Sequence, residues 1–316
     1  MTIWYAAYKK SATWTTLTFA IRRFTSNPST MIETKVDIQY QVQEVVNLLP
    51  SFDAFWETYK TVNGHQIGVH ILVPKEKTLD LALQHKAVIV MPDYRLMPES
   101  QFNDIDEDWR DFWLWVENNL EKLPGLYLDA SNVATVGESA GGYLAAQPVL
   151  RGFSKKAAVV MLQYPALSIQ RDMDTWATAP ADQIVPISVL DDYVAKMVPG
   201  KLLTRTPCGT RMDLVKASIQ SKRLVDLSKY PQLDPNTSLE MAERIPPIFL
   251  FHGIDDSSVP VGKVQEWAEK LKRLHAEVPL HAVFPPGEHV LDKHQRLEEP
   301  WLKEPIAFVE RYWPVA

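Results

Sequence analysis

The sequence predicts an α/β protein: a mostly parallel central sheet covered by helices, with an inserted lid. Three observations carry this reading. Short apolar runs recur at residues 87–91, 133–136, 157–162, 248–251 and 280–284, as expected of parallel strands buried on both faces. Segments with helical character separate most of them, the alternation that builds a doubly covered sheet. Between residues 166 and 246 the alternation stops. That stretch is punctuated by proline and holds only short helical pieces, 187–198 and 213–222. A segment this long between two sheet strands reads as a lid over the site.

Each element follows in order. Residues 36–49 form a helix or loop ending at Pro50. Residues 55–62 read as a strand, Asn63-Gly64 as a hairpin turn, and 66–73 as the return strand, alternating Ile67, Val69, Ile71 and Val73. Residues 79–85 read as the end of a helix, 87–91 as a buried strand and 92–99 as a loop. Residues 104–123 form an amphipathic helix with Trp109, Trp113, Val116 and Leu120 on its core face. A strand at 132–137 leads through a Gly-Ser turn into a small, apolar helix at 140–150, which Pro148 should kink or shorten. Helices also fit 262–275 and 300–311. The core therefore comprises 51–165 and 247–316, the lid 166–246, and residues 1–50 a separate N-terminal segment.

Composition narrows the function. The chain has 316 residues, 46% hydrophobic and 23% charged, with a net charge of −6. These values suit a soluble globular protein. No patch gathers Lys and Arg, so a nucleic-acid partner is excluded. The single cysteine, Cys208, forbids an intramolecular disulfide and a cysteine metal cluster, and fits a reducing, cytoplasmic setting. No apolar run is long enough for a membrane span. Neither a metal nor a cofactor is expected. The first 32 residues contain no Asp or Glu but carry Lys9, Lys10, Arg22 and Arg23. That composition suits a mitochondrial presequence, or a chain that starts at Met31. The favoured reading is a cap whose Trp4, Tyr5, Tyr8, Trp14 and Phe19 pack over the mouth of the site.

Gly137-Glu138-Ser139-Ala140-Gly141 stands between a strand and a helix. A serine there sits on a sharp, strained turn at a helix N-terminus, where N–H groups favour negative charge. Serine is a weak nucleophile and needs a base, which needs an orienting acid. Reacting groups of open α/β sheets collect at the carboxyl ends of strands. After the strand at 248–251 come Asp255 and Asp256, and after that at 280–284 comes His289. Asp256 fits the spacing His-Gly-x-x-Asp-x-x-Val-Pro better, with Asp255 the alternative. His294 is a second candidate base, and His252 a support for the loop. Trp176 and Tyr193 are the lid's candidate pocket walls, which would suit a small to medium apolar substrate.

Gly-Glu-Ser-Ala-Gly-Gly, Asp-Tyr-Arg-Leu-x-Pro-Glu and His-Gly-x-x-Asp-x-x-Val-Pro together resemble the hormone-sensitive-lipase-like branch of the α/β-hydrolases. The overall run, over residues 55–313, is similar to fungal members. The resemblance implies a cofactor-free serine hydrolase of carboxylic esters, with Ser139 as nucleophile, Asp256 as acid and His289 as base. It also implies that the Ala140 N–H is an oxyanion donor, and that Asp93, Tyr94, Arg95 and Glu99 are structural supports. One departure stands out. That branch has a strand and a His-Gly-Gly-Gly loop before its Asp-Tyr-Arg-Leu strand. Here Thr78 runs directly into Leu79, and no His-Gly-Gly-Gly occurs in the chain. Each lost oxyanion donor is worth about 3 kcal/mol of transition-state stabilisation. A non-hydrolytic protein of the same fold, a binding module or a lyase or cyclase acting on a small metabolite, is therefore the alternative. One central strand should be missing. The expectation is that 87–91 shifts to pair with 132–136 and drags the 55–73 hairpin with it, and that the 93–99 loop moves towards Ser139.

Overall fold

The computed structural model describes residues 17–23, 52–74, 85, 87–123, 126, 128–179, 181–206, 210–295 and 297–314. Asn63 and Gly64 take positive φ of 49° and 78°, as a tight hairpin turn requires. They join β2 (Phe52–Val62) to β3 (His65–Pro74). β4 (Ala87–Pro92) pairs antiparallel with β3. The chain then forms helix α1 (Phe102–Asn119), β5 (Leu128–Glu138), α2 (Ala140–Leu150) and β6 (Ala157–Gln163). The lid helices α3 (Ile169–Ala177), α4 (Ser188–Ala195), α5 (Met212–Gln220) and α6 (Pro235–Met241) follow. The core closes with β7 (Ile248–Phe251), α7 (Val261–Leu274), β8 (Leu280–Val283) and α8 (Lys303–Tyr312). β5, β6, β7 and β8 are parallel.

Two apolar layers bury the sheet. On one face Trp109, Phe112, Trp113 and Val116 of α1 pack with Leu144 and Ala145 of α2 and Trp267 of α7. On the other, Ala134, Val136, Val159, Met161 and Phe249 meet Val309 and Trp313. Among the described residues, no helix is long and apolar enough to cross a membrane.

The slot left by the absent strand is filled, but not as expected. The sheet order is β2-β3-β4-β1-β5-β6-β7-β8, where β1 is Leu17–Arg23. β1 runs antiparallel to both neighbours. Phe19 pairs with Val90 on one side and Thr135 on the other. β4 therefore does not shift onto β5, and it keeps its ladder with β3. The physical reason is hydrogen bonding. β4 and β5 would otherwise each bury a row of unpaired N–H and C=O groups, at about 1–3 kcal/mol for each unsatisfied group. A strand from the N-terminal segment satisfies both rows without disturbing the hairpin. Residues 17–23, Phe19 included, thus belong to the core sheet and not to a cap. Trp4, Tyr5, Tyr8 and Trp14, and the pieces at 36–49 and 79–84, lie outside the described residues.

The lid is tied to the 93–99 loop. Leu96 N donates to Leu203 O at 2.8 Å, and Arg205 Nε donates to Asp93 Oδ2 at 2.8 Å. Arg211 grips the Glu99 carboxylate through both terminal nitrogens, at 3.1 and 2.6 Å. Arg95 instead binds Asp108 of α1 through its Nε, at 3.0 and 2.9 Å. Asp93 and Glu99 thus fix the 93–99 loop to the lid segment, and Arg95 fixes it to α1.

Candidate active site

β5 ends on Glu138, and α2 begins on Ala140. Ser139 must reverse the chain between them, and does so at φ 54° and ψ −121°. Such a backbone persists only where its surroundings over-determine it. Here Ser139 N donates to Gln163 O at 2.9 Å, and Ser139 O accepts from Gly142 N at 2.9 Å and Ala166 N at 3.1 Å. Strand and helix also approach too closely for side chains. A Cβ on Gly137 would stand 2.0 Å from Gly141 O, and one on Gly142 would stand 2.4 Å from Pro165 Cβ. Ala140 is exposed at the positive end of α2.

Beyond β8, Gly287 at φ 143° and Val290 at φ 64° turn the chain on either side of His289. His289 Nδ1 donates to Asp256 Oδ2 at 2.7 Å. An ionised carboxylate only accepts, which assigns the proton to Nδ1 and leaves Nε2 as acceptor. The Ser139 hydroxyl lies 3.0 Å from that Nε2. Serine, histidine and aspartate thus form one hydrogen-bonded chain.

Asp256 Oδ1 accepts from Ser258 N at 2.9 Å and Val259 N at 2.8 Å. His252, fully buried, brings its Nε2 to 3.1 Å from Asp256 Oδ2 and donates to Val259 O at 2.7 Å. Burial alone would raise the Asp256 pKa, but the bonds from His252, His289 and the Val259 backbone hold it well below the usual carboxylate range. The site keeps a charged acid behind the imidazole. Asp255 turns elsewhere. Its Oδ2 accepts from Gly287 N at 2.9 Å, and its own N donates to Gly287 O at 3.1 Å. Glu288 reaches back to accept from Ser257 N at 3.0 Å and Ser257 Oγ at 2.9 Å. These reciprocal bonds clasp the acid loop to the histidine loop.

Tyr193 donates its hydroxyl to Glu99 and lies under the Arg211 guanidinium, 5.2 Å from the ring centroid. It ties lid to core. Trp176 stands half-buried in the last turn of α3. Among the described residues, no group of three or more His, Cys, Asp or Glu is placed to hold a metal ion. The Gln163-Tyr164-Pro165 end of the 157–162 run marks a strand-end turn in the sequence, but nothing there places Tyr164 beside the histidine. The φ of Tyr164 is 38°, and its ring meets the His289 ring edge-on at 4.9 Å.

A central sheet, a strained serine on its strand-to-helix turn, and an acid and a base on later strand ends define a class of protein. The chain belongs to the alpha/beta hydrolase fold family, which it matches over residues 68–232, in the hormone-sensitive-lipase-like branch that its motifs resemble. Residues 215–314, which include Asp256 and His289, also match the prolyl oligopeptidase family. The probable carboxylesterase M8 of a Phoma species is 27% identical over 267 residues, covering 79% of this chain and 83% of that protein. The probable carboxylesterase clz11 of Cochliobolus lunatus is 29% identical over 188 residues, 55% of this chain and 86% of its own. Among solved structures, Thermogutta terrifontis esterase 2 phosphoramylated by tabun superposes with a TM-score of 0.53 at 16% identity, covering 85% of this chain and 97% of that one. The hyperthermophilic esterase of Pyrobaculum calidifontis does so with a TM-score of 0.52 at 20% identity, covering 84% and 87%. At such identities these structures speak for the fold.

Proposed function

We propose that the protein is a carboxylesterase-type serine hydrolase acting on small to medium, mostly apolar esters. The observation that carries this is the chain from Ser139 Oγ to His289 Nε2 at 3.0 Å and from His289 Nδ1 to Asp256 at 2.7 Å. In this mechanism His289 takes the hydroxyl proton as Ser139 attacks the ester carbonyl. The Ala140 N–H faces the developing oxyanion, and His289 returns the proton to the leaving alcohol. Water, activated by the same imidazole, then releases the acid from the acyl-enzyme. Asp256 orients the ring and stabilises the imidazolium.

The absence of a His-Gly-Gly-Gly segment favours a second reading, a non-hydrolytic binding protein, lyase or cyclase of the same fold. Hydrolysis of p-nitrophenyl acetate and butyrate discriminates the two. The wild type is expected to turn both over, and Ser139→Ala to lose all but background. Equal rates for the two proteins would favour the second reading.

A further inference from the structure

Two buried acids beneath the site take no part in the chain just described. Glu138 closes β5 immediately before Ser139 and is 6% exposed; Asp292 follows His289 by three residues and is 5% exposed. Each is thus anchored within a few bonds of one end of the Ser139–His289 contact. Tyr164 acts on both, its hydroxyl lowering the pKa of each carboxyl, and its ring packs edge-on against His289. Its backbone N donates to Phe251 O at 2.7 Å, which pins it to the strand that leads to Asp256. Asp292 Oδ1 is buried and has no hydrogen-bond partner among the described residues.

Two carboxylates that share a buried site cannot both ionise at neutral pH. Burial, and then the charge of Asp292, push Glu138 up to about 8. Burial likewise raises Asp292. A protonated carboxyl can donate a hydrogen bond where a carboxylate cannot, and Asp292 Oδ1 lacks a donor. Among the described residues, the groups acting on the pair are Tyr164, from the loop after β6, and, on Asp292, His289 from the turn after β8.

We propose that Glu138 is a positioning residue: with Asp292 and Tyr164 it forms a hydrogen-bonded bridge that holds the Ser139 elbow in register with the His289 turn. The proposal rests on the serine-hydrolase reading above. It deepens that reading by adding a buried acid pair to the acid of the triad. When both acids ionise, their repulsion opens the bridge, and Ser139 and His289 lose register.

The test compares wild type, Glu138→Gln, Glu138→Ala and Asp292→Asn in the full chain. At pH 7, Glu138→Ala is expected to lower kcat on p-nitrophenyl butyrate at least about tenfold with little change in KM, as misplacement of reacting groups does. Glu138→Gln, an uncharged isostere able to donate, is expected to recover most of that loss. The wild-type rate falls as pH rises through about 8, and Glu138→Gln and Asp292→Asn lack this limb. Stability gives a second readout. Glu138 titrates near 4.5 in the unfolded chain and near 8 in the folded one, so the wild type loses stability as pH rises across that window. Glu138→Gln loses less. A downfield His289 Nδ1–H proton resonance, kept in Glu138→Gln and lost in Glu138→Ala, reports register without any ester. Glu138→Gln as slow as Glu138→Ala, or pH profiles and resonances that superimpose across all four proteins, overturns the proposal. A wild type that hydrolyses no ester overturns the esterase reading instead, and the melting curves and the resonance still decide the role of Glu138.

Discussion

Asp255 and Asp256 carry the same side chain on adjacent positions, yet the fold gives them different work. Asp256 holds the His289 ring; Asp255 accepts from the Gly287 backbone in an exposed clasp. Asp256→Asn is expected to lower kcat by about 10⁴, because an amide favours the wrong imidazole tautomer. Asp255→Asn forfeits one exposed hydrogen bond, worth about 1 kcal/mol, and should cost less than about tenfold. Steady-state kinetics on p-nitrophenyl butyrate separates the two. A larger loss in Asp255→Asn would reverse the assignment. Ser139, Asp256 and His289 were legible in the sequence because each follows a recognisable strand, and strand ends gather at one edge of the sheet. The roles of Glu138 and Asp292 were not. An acid's sequence neighbours say nothing of its burial, and only the folded sheet brings Glu138 and Asp292 to one tyrosine.

At the scale of elements, β1 was the one strand among the described residues that escaped the sequence. The other seven announce themselves by alternation or by continuous apolar runs. Leu17–Arg23 ends in two arginines and sits in a stretch rich in threonine, so its composition resembles a presequence or a cap more than a core strand. Its place is set by a vacancy between two distant strands, and local pattern carries no record of a vacancy. Its register makes a firm prediction. Ala20 lies in the middle of the strand, opposite Ile89 on one side and Ala134 on the other. Proline there removes an N–H from a ladder with no solvent edge. It leaves an orphaned carbonyl at a cost of about 1–3 kcal/mol, which lowers Tm by roughly 2–4 °C for each kcal/mol lost. Deleting residues 1–30 removes the strand and reopens both ladders, and the truncated chain is expected not to fold. Far-UV circular dichroism and thermal melts check both variants. A truncated chain that melts like the wild type would mean that β1 contributes nothing to the sheet.

Across the whole molecule, the lid, the β2–β3 hairpin and the 93–99 loop meet at Asp93. Arg205 from the lid side binds this carboxylate, and His70 of β3 brings Nε2 to 3.7 Å from the same oxygen. His70 is half-buried, and its buried Nδ1 has no hydrogen-bond partner among the described residues. Burial lowers its pKa to about 4 from an ordinary 6.5; Asp93 opposes this shift and Arg205 reinforces it. The sign follows from which state takes up the proton first. In the unfolded chain His70 charges near 6.5, while in the folded protein it stays neutral until about 4. The fold therefore keeps its full stability above the higher value and loses it as pH falls through the window. Glu138 and Asp172, whose pKa values are raised chiefly by burial, act in the opposite direction, so the wild-type curve alone does not isolate the histidine. A difference measurement does. His70→Gln removes the titrating group and keeps a polar side chain of similar length. Urea unfolding of both proteins at pH 7, 6, 5 and 4 is expected to show the wild type losing stability relative to the variant at each step down. Parallel curves would mean that His70 titrates alike in the folded and unfolded chain, and a wild type that gains stability relative to the variant would mean that His70 is charged beside Asp93 in the fold.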